Sequence, residues 1–269
     1  ETLRRRVVVG MNSGEAIQLG QLVSLYEGMH TRGLSQKERL QEAEDLCEKP
    51  ETLAKMFEED VEAFASYDNE GVPFHSGAQD RDKTSFSPKS KTRVVAQSLI
   101  TLMDGETIEV AGRPDLNFRY VDREIVSART PGATFRTTDG KIRSADTLPK
   151  LDLLLANADD GTPIVGELKV GDDRDPFYAL IQALAHASML VTENQAKRLR
   201  TQYPDTFSQD FERVDVYVVL VGSAEGSNWP DFDNYARDLA GELMRIDSFA
   251  RRVRRIEQVR LILGGRSPG

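Results

Sequence analysis

One cysteine, one tryptophan and three histidines are all that the 269 residues contain of those types. Cys47, standing alone, excludes an intrachain disulfide, a four-cysteine zinc knot and a CxxC redox centre. His30, His75 and His186 form no HxH or HExxH spacing, so zinc chemistry through histidine is not expected. Gly10, Gly14 and Gly20 complete neither GxGxxG nor GxxxxGK, and Ser223 does not sit in a GxSxG elbow. No apolar run reaches the roughly 18 residues that cross a bilayer, which leaves no expectation of a membrane span. Basic residues are also in deficit, with 35 Lys and Arg against 44 Asp and Glu, a formal charge of −9 and a pI near 5.1. That balance excludes a uniformly basic coat for nucleic acid, but an acidic metal site would itself add negative charge.

What is present is enough for a sizeable core. The chain is 39% hydrophobic with a mean hydropathy of −0.45, outside the range of disordered proteins. A lone cysteine suits a reducing cytoplasm, and a first residue other than Met suggests a processed or trimmed chain. The expected organisation is a mainly helical N-terminal extension and linker over 1–87, followed by an α/β domain over 88–269.

In the extension, the apolar stripes Leu40, Ala43, Leu46, Cys47 and Leu53, Phe57, Val61, Phe64 predict two helices divided near Pro50. Their many acids, Glu38 to Glu62 with Asp60 among them, are expected on a solvated face, and Cys47 as a small core residue. The turn-rich segment 69–90 reads as a linker or an excursion over a cleft. A helix is predicted over 91–103, then strands in ETIEVA, LNFRYV, REIVSA, LPKLDLLLA, PIVGELKV and VDVYVVLVG. Asp175 and Pro176 open a helix through DPFYALIQALAHASMLV, a further helix runs from Asp233 to Ile246, and a last strand from Val259 to Leu263.

The chemistry lies in KLDLLLANADDGTPIVGELKV. Period-2 alternation puts Glu167 and Lys169 on one strand face and Leu168 on the other. A hairpin through 157–162 brings Asp152 beside them. Charges that interrupt two apolar strands require either solvent at a sheet edge or a purpose such as metal coordination. Two carboxylates and the Leu168 carbonyl form a hard oxygen set suited to Mg²⁺ or Mn²⁺, and the Lys169 ammonium can orient an attacking water and balance phosphoryl charge. Asp146, before Pro149, is the alternative to Asp152.

This arrangement resembles the PD-(D/E)xK nuclease superfamily, whose signature pairs an Asp on one core strand with Glu-x-Lys on the next, here Asp152, Glu167 and Lys169. The resemblance implies a central mixed sheet of the restriction-endonuclease-like type and divalent-metal-dependent cleavage of DNA, with RNA as a second substrate class. It also implies a following helix with a supporting Gln, a position held by Gln182, with Tyr178 and His186 on the same face. His186 stands where a tyrosine is common. The family's preceding helix usually carries an acid, whereas 91–103 has none, so Glu106, Glu109 and Glu124 are the candidates for an auxiliary acid.

For phosphate contact the expected residues are Lys141, Arg143 and Lys150; AKRLR at 196–200 and the run Arg251, Arg252, Arg254, Arg255 can meet phosphates or equally cover an acidic surface of the protein itself. Two other functions compete: a catalytically inactive, nuclease-like binding or scaffold protein, and an acidic module that uses its helices to bind a protein partner or to mimic nucleic acid. Oligomeric state is left open.

Overall fold

The computed structural model describes residues 17–18, 20–31, 34–65, 107–110, 112–125, 134–136, 142–144, 150–170, 175–221 and 230–261. The helix predicted over 91–103, together with His75, Glu106, Lys141, Asp146 and Trp229, lies outside the described residues.

A hydrogen-bonded turn fixes the centre of the fold. Asn157 Oδ1 accepts the N–H groups of Asp159 and Asp160, and Gly161 takes the positive φ of 71° that the return requires. The turn joins β6 (Leu151–Asn157) to β7 (Pro163–Val170) as an antiparallel pair. The long strand β3 (Arg113–Ile125) lies against the other side of β6 and carries the short β2 (Thr107–Val110) at its outer edge. Beyond β7, β8 (Val214–Val221) and β9 (Val253–Leu261) run parallel to it, giving the order β2-β3-β6-β7-β8-β9.

Parallel neighbours need crossover connections. These are α4 (Pro176–Leu190) and α5 (Glu193–Gln202) before β8, then α6 (Pro230–Leu243) and α7 (Asp247–Ala250) before β9. With both faces covered, β8 is buried along its whole length, as its unbroken VDVYVVLV pattern predicts. The result is a mixed α/β fold. A separate three-stranded sheet joins β1 (Ile17–Gln18), β4 (Thr134–Arg136) and β5 (Ile142–Ser144). Among the described residues no helix is long and apolar enough to cross a membrane.

The two faces of the main sheet are buried by different means. On one, Leu154, Val165, Val216 and Val218 pack under the helices. On the other, Phe118, Leu153, Leu155, Leu168, Tyr217 and Val219 form a second cluster. The Phe118 and Tyr217 rings meet edge to face at 5.8 Å, although β6 and β7 lie between their strands. Three strand spacings in a flat sheet would put them about 14 Å apart, so the sheet is strongly curled and its concave face packs on itself. Arg113 reaches Glu257 at 3.0 Å and Arg255 donates to the Asp115 carbonyl at 3.0 Å, closing the gap between β3 and β9.

The N-terminal helices α1 (Gln21–Thr31), α2 (Gln36–Cys47) and α3 (Pro50–Ala65) share the core of the α/β region. α1 and α3 pack on α4, and α2 on α6, burying Leu22, Val23, Phe57 and Phe64 in the same cluster as the sheet. Ser35 and Glu38 form a capping box that starts α2. Cys47 donates weakly to the Tyr235 carbonyl at 3.4 Å, and burial pushes its thiol up to about 11, a structural and unreactive setting.

Two expectations are corrected by packing. Asp60 is fully buried, not on a solvated face. Its carboxylate meets the N-terminus of α1, with Oδ2 accepting from Val23 N–H at 3.2 Å and the Gln21 and Leu22 amides facing it. A Cβ on Gly20 would overlap this carboxylate, so the close approach requires glycine. The last strand, described over Val253–Leu261, begins before the predicted 259, because buried Asp215 on β8 accepts Arg254 at 2.6 Å and Arg255 at 3.4 Å, making an arginine-rich strand tolerable; 262–263 lie outside the described residues.

Burial raises Asp60 from 3.8 to about 7, outweighing the amides that favour its ionised form. A folded-state value above the unfolded one contributes stability at low pH that is lost as pH rises from about 4 through 7, up to roughly 4 kcal/mol. Asp60→Asn is therefore expected to flatten the fall in stability between pH 4 and 7, read from urea midpoints across that range. An unchanged slope would show that Asp60 is not the titrating group.

Candidate active site

Strand register assembles the site. Leu153 stands opposite Gly166, and one residue further along the antiparallel pair Asp152 stands opposite Glu167. Lys169 follows on the same face, while Leu168 joins the concave cluster on the other, as the period of two predicts. Leu168 N–H donates to Asp152 Oδ2 at 3.1 Å and so orients that carboxylate toward β7.

Helix α4 roofs this face. Asp175 caps it by accepting from Tyr178 N–H at 2.8 Å, with Pro176 in the first turn. From the fixed start, Tyr178, Gln182 and His186 recur every fourth residue and look onto β7. Gln182 Oε1 accepts from Lys169 Nζ at 3.1 Å, and the ammonium lies 5.2 Å from the centre of the Tyr178 ring. One turn on, His186 Nε2 is 3.5 Å from Glu167 Oε1, both side chains being fully buried. Burial holds the imidazole down to about 3, with Lys169 acting in the same direction, so it is neutral here.

The carboxylates carry the largest unresolved cost. Glu167 is fully buried, and neither of its oxygens is in a well-formed hydrogen bond, although its carboxylate faces the amide and side chain of Asp152 and lies 3.5 Å from His186 Nε2. Burial first, and the adjoining Asp152 carboxylate second, raise it well above the usual carboxylate range, even against the favourable charge of Lys169. Asp152 is raised as well, chiefly by burial. A buried carboxylate beside a half-buried one, with few donors between them, cannot ionise fully without a compensating positive charge or a shared proton.

Of the two candidate auxiliary acids among the described residues, Glu109 and Glu124, it is Glu124 that approaches. The register of Arg123 opposite Leu153 and Ile125 opposite Leu151 sets Glu124 across from Asp152, and its charge disfavours Asp152 ionisation. Glu124, Asp152 and Glu167 therefore form one row over three strands. Glu124 has a φ of 50°, just after a bulge at Tyr120 and Asp122, a left-handed conformation costing about 1 kcal/mol or more. Buried Asp122 anchors the bulge by accepting from Tyr203 Oη at 2.6 Å and Arg123 N–H at 2.7 Å. Glu109 is exposed on β2 opposite Asn117, seven residues or about 23 Å of strand from Glu124, and takes no part in the site.

Lys150 is exposed immediately before β6, at the Asp152 end of the site. Arg143 belongs to β5. In the other basic segments, Arg198 of AKRLR is buried on Gln195, and Arg252, Arg254 and Arg255 pair with the chain's own Glu58, Asp160 and Asp215, the acid-covering role open to that run. An open cleft of about 1580 Å³ lies by Val191, at the end of α4 away from Lys169, and its five Lys and Arg are matched by five Asp and Glu. It has no sign preference for a polyanion.

Sequence reasoning did not find Tyr26 of α1, whose ring stacks against Tyr178 at 5.4 Å, or Arg39 of α2, which pairs with Asp175 at 3.4 Å. Both reach the site through helix packing, which leaves no local pattern. Among the described residues no group of three or more His, Cys, Asp or Glu is arranged to hold a metal ion. No protein-family model matches the chain, and no curated protein or solved structure matches it either.

Proposed function

We propose that this protein is a divalent-metal-dependent phosphodiester hydrolase of restriction-endonuclease-like fold, cleaving DNA at Asp152, Glu167 and Lys169. The observation that carries the reading is the buried Glu167 carboxylate set against that of Asp152, with no well-formed hydrogen bond to either Glu167 oxygen, on the strand face that also bears Lys169. Two adjoining carboxylates short of hydrogen-bond donors fit a divalent cation as ligand. The donors for it are Glu167, the Asp152 oxygen not held by Leu168 N–H, and the Leu168 carbonyl, a hard oxygen set suited to Mg²⁺ or Mn²⁺. When bound, such a cation polarises water and balances phosphoryl charge. Glu124, across from Asp152, serves as the auxiliary acid that 91–103 lacks.

The chain's own groups account for the rest of the chemistry. Lys169, tethered by Gln182, orients the attacking water and meets charge developing on the phosphoryl oxygen. Gln182 fixes the ammonium, Asp175 fixes the helix that carries Gln182, and Lys150 offers a phosphate contact at the rim. Cleavage of linear duplex, circular single-stranded DNA and RNA in Mn²⁺ tests the assignment. Lys169→Met, which keeps the stem and removes the charge, is expected to lower the rate about 10²- to 10³-fold. Undiminished cleavage in that variant, once contaminating nuclease is excluded, overturns it; preferential cleavage of RNA moves the substrate class.

A second reading follows from the lack of a three-acid cluster among the described residues. It makes the protein a nuclease-like binding or scaffold domain, and a wild-type chain that binds DNA without binding Mn²⁺ supports it.

A further inference from the structure

A lysine ammonium on a four-carbon stem has three donors and large rotamer freedom, so a hydrolytic lysine must be held as well as charged. Gln182 Oε1 supplies one acceptor for Lys169, at 3.1 Å. The face of Tyr178 supplies a second contact, with Nζ 5.2 Å from the ring centre, inside the range of a cation–π interaction. Tyr178 precedes Gln182 by one helical turn, so both descend on the ammonium from the same side of α4.

Tyr178 is itself backed by the N-terminal helix. The Tyr26 ring of α1 lies 5.4 Å away at an interplanar angle of 33°, and its hydroxyl faces that of Tyr178. Tyr26 is only 9% exposed, and α1 packs directly on α4, so the stack has little room to turn. The contacts run in series from Tyr26 to Tyr178 to Lys169 to Gln182, crossing from the N-terminal helices into the sheet.

We propose that Tyr178, buttressed by Tyr26, is the positioning residue for the Lys169 ammonium, which makes α1 a working wall of the active site. The ring restrains the ammonium without occupying a donor, so the N–H groups not used by Gln182 stay free for water and phosphoryl oxygen. The inference rests on the reading of Lys169 as part of the hydrolytic site, but its geometry can be tested without turnover.

The test uses the full chain with lysine side chains isotopically labelled, in wild type, Tyr178→Phe, Tyr178→Leu and Tyr26→Leu. Ring current over Lys169 is expected to shift its Hε and ammonium signals upfield of the other lysines. The shift persists in Tyr178→Phe, disappears in Tyr178→Leu and shrinks in Tyr26→Leu. Steady-state cleavage is expected to show kcat lowered roughly 2- to 30-fold in Tyr178→Leu at unchanged KM, with Phe restoring most of it. The same Lys169 signals in wild type and Tyr178→Leu, or, where the wild type cleaves, equal kcat in the Phe and Leu variants, overturn the proposal. The expected NMR pattern in a wild-type chain that cleaves nothing upholds the positioning and defeats the hydrolase reading alone.

Discussion

Glu167→Gln is expected to abolish cleavage and, in the same molecule, to raise the stability of the metal-free protein. The loss of activity, about 10²- to 10³-fold or more, follows from removing the buried carboxylate that faces Asp152 beside Lys169. The gain in stability follows from the same burial. Glu167 is raised by desolvation and by Asp152, so the folded chain binds its proton more tightly than the unfolded chain does. Its contribution to stability is complete below the unfolded carboxylate range near 4.3 and is lost as pH rises through the folded value. A neutral amide lacks that dependence and can donate toward Asp152. Gln is therefore expected to stabilise the protein by about 1–3 kcal/mol at pH 8, and by progressively less as acid protonates the wild-type side chain. Guanidinium unfolding at pH 5 and pH 8 without divalent ions reads the difference. Added Mn²⁺ should raise the wild-type midpoint and leave the variant's unmoved. A variant less stable than wild type at pH 8 would mark Glu167 as a structural partner of His186, and wild-type cleavage in the variant would remove it from the site.

A charged group buried at a cost to stability is a feature that a sequence can reveal, because it breaks a pattern. Asp152, Glu167 and Lys169 interrupt two strands that otherwise read as apolar. The turn residues between those strands, Asn157 to Gly161, determine the pairing that sets them opposite one another. Asp175 and Pro176 announce the start of α4, and spacing by four then aligns Gln182 and His186. Each of these inferences concerns residues close in sequence. The choice of Glu124 over Glu109 needed the register of β3 on β6, including a bulge without a residue signature of its own. Tyr26 and Arg39 contribute through α1 and α2, about 150 and 135 residues from the groups they touch, a distance over which periodicity carries no information. Asp60 reads as one acid among many because its helix pattern cannot show that the start of α1 will land on it.

The curl of the sheet was equally invisible, and it produces the second large effect. Alternation in β3, β6 and β8 predicts which side chains share a face, but not that the face closes on itself. Phe118→Ala is expected to destabilise the protein by about 3–5 kcal/mol. Phe118 is fully buried, and its ring meets Tyr217 across two intervening strands. In a flat sheet covered by an independent layer, the cavity would be felt by its immediate neighbours. Here the removed ring spans the concavity from β3 to β8, so the contact that fixes the curvature goes with it. Against a typical total of about 5–15 kcal/mol, that loss is a large fraction. Arg113→Ala, which cuts the exposed ion pair to Glu257 across the same gap and the one to Asp115 on its own strand, should cost no more than about 1 kcal/mol. Urea unfolding of the two variants compares ring packing with edge ion pairs. The curvature also bears on the site, since β3 carries Glu124 toward Asp152 on the convex side of the same sheet. If the ring fixes that curve, Phe118→Ala should weaken Mn²⁺ binding even under conditions where the variant remains folded. A loss below about 1 kcal/mol would mean that the helical layer alone sets the shape of the sheet.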